Sequence, residues 1–277
     1  MPVVVFTMLS HLGVHPGQLV LEIGTGTGWT AALLSHRLGD DRVVSIEVDP
    51  SVADAARENL AGVGRSPRVI TGEGAEGYSA TAPYDRLIAT CSVQTVPYAW
   101  VAQTRPGGVI LTPWGTTFEN SALLRLTVDN DGERAIGGIV DWAMFMRLRA
   151  QRPVIPDEPD DFNVIAERST TDIDLADFLG DDARFGVGLH VPDCRLTWEL
   201  GEDGYLDTLW LLAPDAWASV RDMVVRQAGA RRLWDEAAAG YSWWLQAGKP
   251  GRNRYGVTVT ADRQSVWLDD ASNPLFR

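Results

Sequence analysis

Three clusters of residues in the first third of the chain carry side chains able to do chemistry. The first is Glu22-Ile23-Gly24-Thr25-Gly26-Thr27-Gly28-Trp29, an acid followed by glycines on alternate positions. Glycines so spaced let backbone N–H groups approach a ligand with no Cβ in the way, and a helix that follows adds the positive end of its dipole. The second is Glu47 with Val48, about twenty residues further on, where a carboxylate accepts both hydroxyls of a ribose. The third is Gly72-Glu73-Gly74-Ala75, in which the carboxylate can take the exocyclic amine of adenine and the glycines leave room for the ring. In this order the three describe a nucleoside site. A dinucleotide fingerprint, G-x-G-x-x-G/A, needs a small residue at position 29, and Trp29 excludes it.

The elements that must position these residues follow from periodicity. Leu19 to Ile23 reads as a strand, Thr30 to Leu38 as a helix, and Arg42 to Ile46 as a second strand ending in Glu47. Asp49-Pro50-Ser51 opens a helix over Val52 to Leu60; Arg68 to Ile70 and Asp85 to Cys91 are the third and fourth strands. Val96 to Gln103 is a helix, Arg105-Pro106-Gly107-Gly108 a turn, and Val109 to Thr112 the fifth strand. The alternation then stops, and Leu123 to Val128 and Arg134 to Val140 form an antiparallel hairpin around an Asp-Gly turn. The expected fold is α/β, a doubly wound parallel sheet finished by that hairpin, with a smaller α+β domain after it. Pro2 starts a helix before the first strand.

The pattern Glu-x-Gly-x-Gly-x-Gly looks like the S-adenosylmethionine loop of class I methyltransferases, so Glu22, Gly24, Thr25, Gly26, Gly28, Glu47, Val48, Glu73, Gly74 and Ala75 are the expected cofactor contacts. From Pro2 to about Leu148 the chain resembles the protein-L-isoaspartate O-methyltransferases. Besides the three clusters, Pro16-Gly17, Ala82-Pro83-Tyr84-Asp85, Val96-Pro97, Pro106-Gly107-Gly108 and Pro113-Trp114-Gly115 carry the resemblance. It implies esterification of an isoaspartyl carboxylate by the methyl of S-adenosylmethionine, the ester then closing to a succinimide. Three features depart from the family. Glu73 stands where an Asp is usual; the family's substrate-side Ser/Thr motif lies just before the residue matching Pro2, where this chain has only Met1; and more than a hundred residues follow the matching region. The second departure keeps open a binding protein that does not turn over.

Methyl transfer to a carboxylate is an in-line displacement by a group already ionised at neutral pH, so it needs no metal and no strong base. Thr90 and Ser92, at the end of the fourth strand, are the candidate hydroxyl donors to that carboxylate; the segment Thr90-Cys91-Ser92-Val93 lacks the Asn/Asp-Pro-Pro-aromatic motif of base-amine methylation. His11, His15, His36 and His190 have no ligand spacing and read as surface or turn residues, and Cys91 and Cys194 as reduced packing residues.

The domains divide as 1–150 for the cofactor and 151–277 for an accessory, substrate-recognising part, joined by the acidic, proline-rich stretch Arg152 to Asp161. The net charge is −13, of which −3 falls in residues 1–115 and −10 in 116–277. Such acidity repels phosphate backbones and excludes nucleic acid as partner. No stretch has the length of a membrane span or the flanks of a signal peptide, which places the chain in the cytoplasm. In the second half Leu175 to Leu179 is followed by strand-like Phe185 to Val191, Arg195 to Leu200 and Tyr205 to Leu212, a helix from Arg231 to Leu245, and a closing hairpin, Tyr255 to Thr260 and Ser265 to Leu268. Eight of eleven tryptophans lie from Trp142 on, and core packing is their expected use. Tyr255-Gly256-Val257-Thr258-Val259-Thr260 and Trp267-Leu268-Asp269 look like homologues associated with ATP-grasp peptide maturases (graspetide systems). That resemblance implies methylation of a normal aspartate in a ribosomally made precursor peptide, first cross-linked by an ATP-grasp ligase, giving aspartimide or isoaspartate; repair of damaged proteins is the alternative.

Overall fold

A computed structural model describes residues 2–154, 157–158 and 166–275. The chain divides into two compact units, Met1–Trp114 with Ser121–Gln151 and Asn253–Arg277, and Gly115–Asn120 with Arg152–Arg252.

The first unit opens with α1 (Pro2–Leu12), whose Val5, Met8 and Leu12 recur at helical spacing and are buried. β1 (Val20–Ile23) is buried throughout, the mark of a strand covered on both faces. After α2 (Trp29–Leu38) and β2 (Val43–Glu47) comes α3 (Pro50–Gly62), capped by Asp49, which accepts from the N–H groups of Ser51 and Val52, with Pro50 in the first turn. β3 (Arg68–Thr71), β4 (Tyr84–Ala89), α4 (Tyr98–Ala102) and β5 (Thr104–Trp114) complete the alternating part. The parallel order is β3-β2-β1-β4-β5. The order reverses between β1 and β4, and ligands of such sheets lie outside the strand ends at that reversal. β6 (Ala122–Val128) and β7 (Ala135–Trp142) then add antiparallel to the β5 edge.

Two boundaries differ from the sequence reading. The helix expected over Val96 to Gln103 begins only after Pro97, because a residue before proline is steered away from helical backbone. The Arg105 to Gly108 turn is instead part of β5, absorbed as a register shift against β4 between Tyr84 and Arg86.

The second unit contains β8 (Glu167–Thr170), α5 (Leu175–Phe178), α6 (Asp181–His190), β9 (Arg195–Leu200), β10 (Leu206–Ala213), β11 (Ala216–Arg221), β12 (Val224–Gly229) and α7 (Leu233–Gln246). Its strands form one antiparallel sheet in the order β8-β12-β11-β10-β9. The core includes Phe118, Phe178, Val187, Leu209, Leu211, Trp234 and Trp244, which puts tryptophans into packing as expected.

Of the stretch Phe185 to Val191, all but Val191 is helical, not extended. Its alternation is of large residues with Gly186 and Gly188, and those glycines are buried too; a Cβ at Gly188 would lie 3.2 Å from Phe118 Cβ. Asp181 and Asp182 in the first turn complement the helix dipole. His190 is half-buried rather than a surface residue. Its ring packs 4.8 Å from that of Trp243, and burial holds its imidazole below the ordinary value. β8, β11 and β12 are absent from the sequence reading. The β11–β12 turn is Asp222-Met223, both at positive φ (49° and 60°), so no glycine announces the hairpin. Of the acidic stretch Arg152 to Asp161, positions 155, 156 and 159–161 lie outside the described residues; Asp157 and Glu158 each approach Arg195 to 3.7 Å.

The closing hairpin, β13 (Tyr255–Val259) and β14 (Gln264–Leu268), returns to the first unit. β13 pairs antiparallel with β7, extending that sheet to nine strands, so the unit expected over 151–277 stops at Arg252. Two glycines allow this: a Cβ at Gly256 would sit 2.1 Å from the Trp267 ring, and one at Gly137 2.0 Å from Arg125 O.

Candidate active site

The glycine loop follows β1 with Gly24, Gly26 and Gly28 at φ 93°, 55° and 86°, a run that side-chain-bearing residues rarely adopt. A Cβ at Gly24 would lie 2.8 Å from Thr90 Oγ1, and one at Gly28 3.1 Å from Leu60 Cγ; at Gly26 it would meet open space. The loop is thus packed against β4 and α3 at its ends and open at its middle.

Glu47 ends β2 beside that opening. Its carboxylate accepts from Gly26 N–H at 3.0 Å and from Asp49 N–H at 3.1 Å, one bond on each oxygen. A carboxylate has about four lone-pair positions, so two remain for hydroxyl donors. Glu73 is exposed at the end of β3, and Gly74 behind it is buried: a Cβ there would fall 2.6 Å from Ile23 Cγ2. The Gly74 carbonyl accepts from the Trp100 indole at 2.8 Å, which fixes the height of this loop over the sheet. Ala75 and Val48 are half-buried.

Glu22 is fully buried two residues before Gly24. Ser45 Oγ donates to its Oε2 at 2.5 Å and lies 2.6 Å from Thr25 Oγ1, a hydroxyl relay from β1 through β2 into the loop; Oε1 has no partner. Burial pushes the carboxyl up to about 8, with Glu47 adding repulsion and the Ser45 bond opposing. Thr90 Oγ1 donates to Gly24 O at 2.5 Å, tying β4 to the loop, and Ser92 is fully buried. Beside the loop, Trp29 packs edge-on against Phe6, ring centroids 6.1 Å apart, both partly exposed.

Several participants had no sequence signal. Trp100 lies in a helix read from its periodicity alone, and Ser45 in the strand read for Glu47 at its end. The stretch 146–151, aperiodic in sequence, crosses the end of β4: Ser92 N–H donates to Met146 O and Leu148 N–H to Ser92 O, both at 2.9 Å, and Leu148 Cδ1 would be 3.3 Å from a Gly74 Cβ. Among the described residues no group of three or more His, Cys, Asp or Glu side chains is arranged to hold a metal ion, and no helix is long and apolar enough to cross a membrane.

A doubly wound sheet with a glycine loop after β1 and acids at the ends of β2 and β3 defines a class I methyltransferase fold. The model of the family described as Protein-L-isoaspartate(D-aspartate) O-methyltransferase matches residues 1–150, and the chain belongs to that family. It is 37% identical over 142 residues to the protein-L-isoaspartate O-methyltransferase of Pyrococcus horikoshii, covering 50% of this chain and 64% of that protein. With that of Methanoculleus marisnigri it shares 41% over 115 residues, covering 41% and 51%. The chain therefore spans about half to two thirds of the length of these relatives. A solved protein-L-isoaspartate O-methyltransferase shares the fold, with TM-score 0.54 and 18% identity over 97% of this chain and 81% of that one.

Proposed function

We propose that this chain transfers a methyl group from S-adenosylmethionine to the free carboxylate of an isoaspartyl residue in a polypeptide. The observation that carries the reading is the open middle of the glycine loop with Glu47 beside it, its two spare acceptor positions turned to no backbone donor. The residues fit the nucleoside. Gly24, Gly26 and Gly28 offer backbone without side chains, Glu47 takes the ribose hydroxyls, and Glu73, Gly74 and Ala75 take the adenine. Glu22 Oε1, buried without a donor, is the acceptor a cationic ligand would complete. When bound, S-adenosylmethionine supplies a methyl on a sulfonium, which a carboxylate oxygen displaces while the sulfur keeps the bonding pair. The chain's part is alignment and exclusion of water, by Trp29 with Phe6 on one side and stretch 146–151 on another. Thr90 and Ser92 act on the reacting carboxylate only at second hand, by holding the loop and that stretch. A cytoplasmic setting fits two cysteines, Cys91 and Cys194, that are not joined in a disulfide.

The matched family favours this reading over modification of a normal aspartate in a cross-linked precursor peptide. The second reading rests on the resemblance carried by Tyr255-Gly256-Val257-Thr258-Val259-Thr260 and Trp267-Leu268-Asp269, which lie beyond the family match. Mass spectrometry after incubation with S-adenosylmethionine separates them. Methyl gain on a short isoaspartyl peptide supports repair; gain only on a cross-linked peptide bearing a normal aspartate supports maturation, and no gain on either sinks both in favour of a binding protein.

A further inference from the structure

The nucleoside site is lined by the carboxylates Glu47 and Glu73, yet the substrate of the proposed reaction is itself an anion. A site of that sign repels it unless a cation stands where the substrate enters. The hydroxyls expected there are otherwise placed: Thr90 donates into the glycine loop and Ser92 is fully buried.

The stretch 146–151 is fastened across the end of β4 at two points. Ser92 exchanges backbone bonds with Met146 and Leu148, so Arg147 sits opposite Ser92 in a parallel bridge. Gln151 closes the other end: its Oε1 accepts from the N–H groups of Gln94 and Thr95 at 2.8 and 3.1 Å, and its Nε2 donates to Thr95 O at 2.6 Å. Leu148 touches the Gly74 loop, and Arg149 faces Asp49, 3.5 Å away. Arg147 is thereby held, half-buried, opposite Ser92 at the end of β4, next in the chain to the Leu148 that touches the loop following β3.

We propose that Arg147 binds the carboxylate of the substrate, an assignment that rests on the methyl-transfer reading. A guanidinium presents a planar fork that matches a carboxylate. Burial pushes the Arg147 guanidinium down to about 10, which leaves it charged at neutral pH. The carboxylate loses its charge as its oxygen takes the methyl, so the ion pair is stronger with substrate than with the transition state or the ester. Arg147 therefore lowers KM without speeding the chemical step, and lets the neutral product go.

The test compares wild type, Arg147→Gln and Arg147→Lys. Calorimetry measures binding of a short isoaspartyl peptide and of its carboxamide twin to the S-adenosylhomocysteine-bound protein, and methyl-transfer kinetics give KM and kcat. Wild type is expected to prefer the carboxylate by about ten- to a hundredfold. Arg147→Gln loses that preference and raises KM by a similar factor with kcat unchanged or higher, Arg147→Lys recovers part, and all three bind S-adenosylhomocysteine equally. A Gln variant that keeps the preference, or one whose S-adenosylhomocysteine affinity falls in step, overturns the assignment, as does a wild type that binds both peptides alike. A wild type that prefers the carboxylate but transfers no methyl overturns the proposed reaction and leaves Arg147 in place.

Discussion

The acids around the glycine loop and the partnered acids of the second unit are held in opposite ways. Around the glycine loop Glu22 and Glu47 take donors only from hydroxyl and backbone N–H groups. In the second unit three acids face cations. Glu119 lies 2.9 Å from Arg184, both largely buried; Glu236 bonds Arg231; and Asp177 accepts from Lys249, the only lysine in the chain, at 2.7 Å and from the Tyr241 hydroxyl at 2.5 Å. The Lys249 bond, then the Tyr241 bond, hold the Asp177 carboxyl below its usual range, whereas burial drives Glu22 up to about 8. An acid with its own cation is spent on the fold. An acid buried without one costs stability, and a chain that keeps it is holding an acceptor in reserve for a ligand.

The contrast can be broken at four places. Gly24→Ala forces a Cβ to 2.8 Å from Thr90 Oγ1 at a φ of 93°, and affinity for S-adenosylhomocysteine should fall by more than about a hundredfold in calorimetry. Glu22→Gln should remove a pH dependence of stability. The wild-type folded pKa, about 8, lies above its ordinary value of 4.5, so between those limits the native chain keeps a proton that the unfolded chain has released. Wild-type stability is therefore full below the lower limit and falls as pH rises toward and through the upper one, by at most about 1.4 kcal/mol per pH unit. Denaturant titrations from acid to mildly alkaline pH should show that slope in wild type and not in the Gln variant. Glu47→Ala should weaken S-adenosylhomocysteine binding about ten- to a hundredfold while leaving the melting temperature near wild type. Glu119→Gln should do the reverse, lowering stability by about 2 kcal/mol through the buried Arg184 with no change in ligand affinity.

The same contrast explains what could be read from the chain. In the parallel half Glu22 and Glu47 sit at or near the ends of apolar runs and Glu73 between two glycines, so all three declare their places by local rules alone. Arg147 and Gln151 do not, because their positions depend on backbone bonds to Ser92, Gln94 and Thr95, more than fifty residues earlier in the chain. In the second unit, turn chemistry misleads: Asp222-Met223 makes a tight hairpin without glycine, and the glycines of α6 imitate strand alternation while serving close packing. The closing hairpin was legible as a hairpin, but its partner strand β7 was not, since pairing with a distant edge leaves no periodic trace.

The central claim is that the loops ending β1, β2 and β3 form one nucleoside site. Its most direct test is calorimetric titration of the intact chain with S-adenosylhomocysteine, alongside Gly24→Ala and Glu47→Ala. Saturable binding at one site by wild type, weakened in both variants, is the predicted result. No saturable binding, or equal binding by all three proteins, would contradict it.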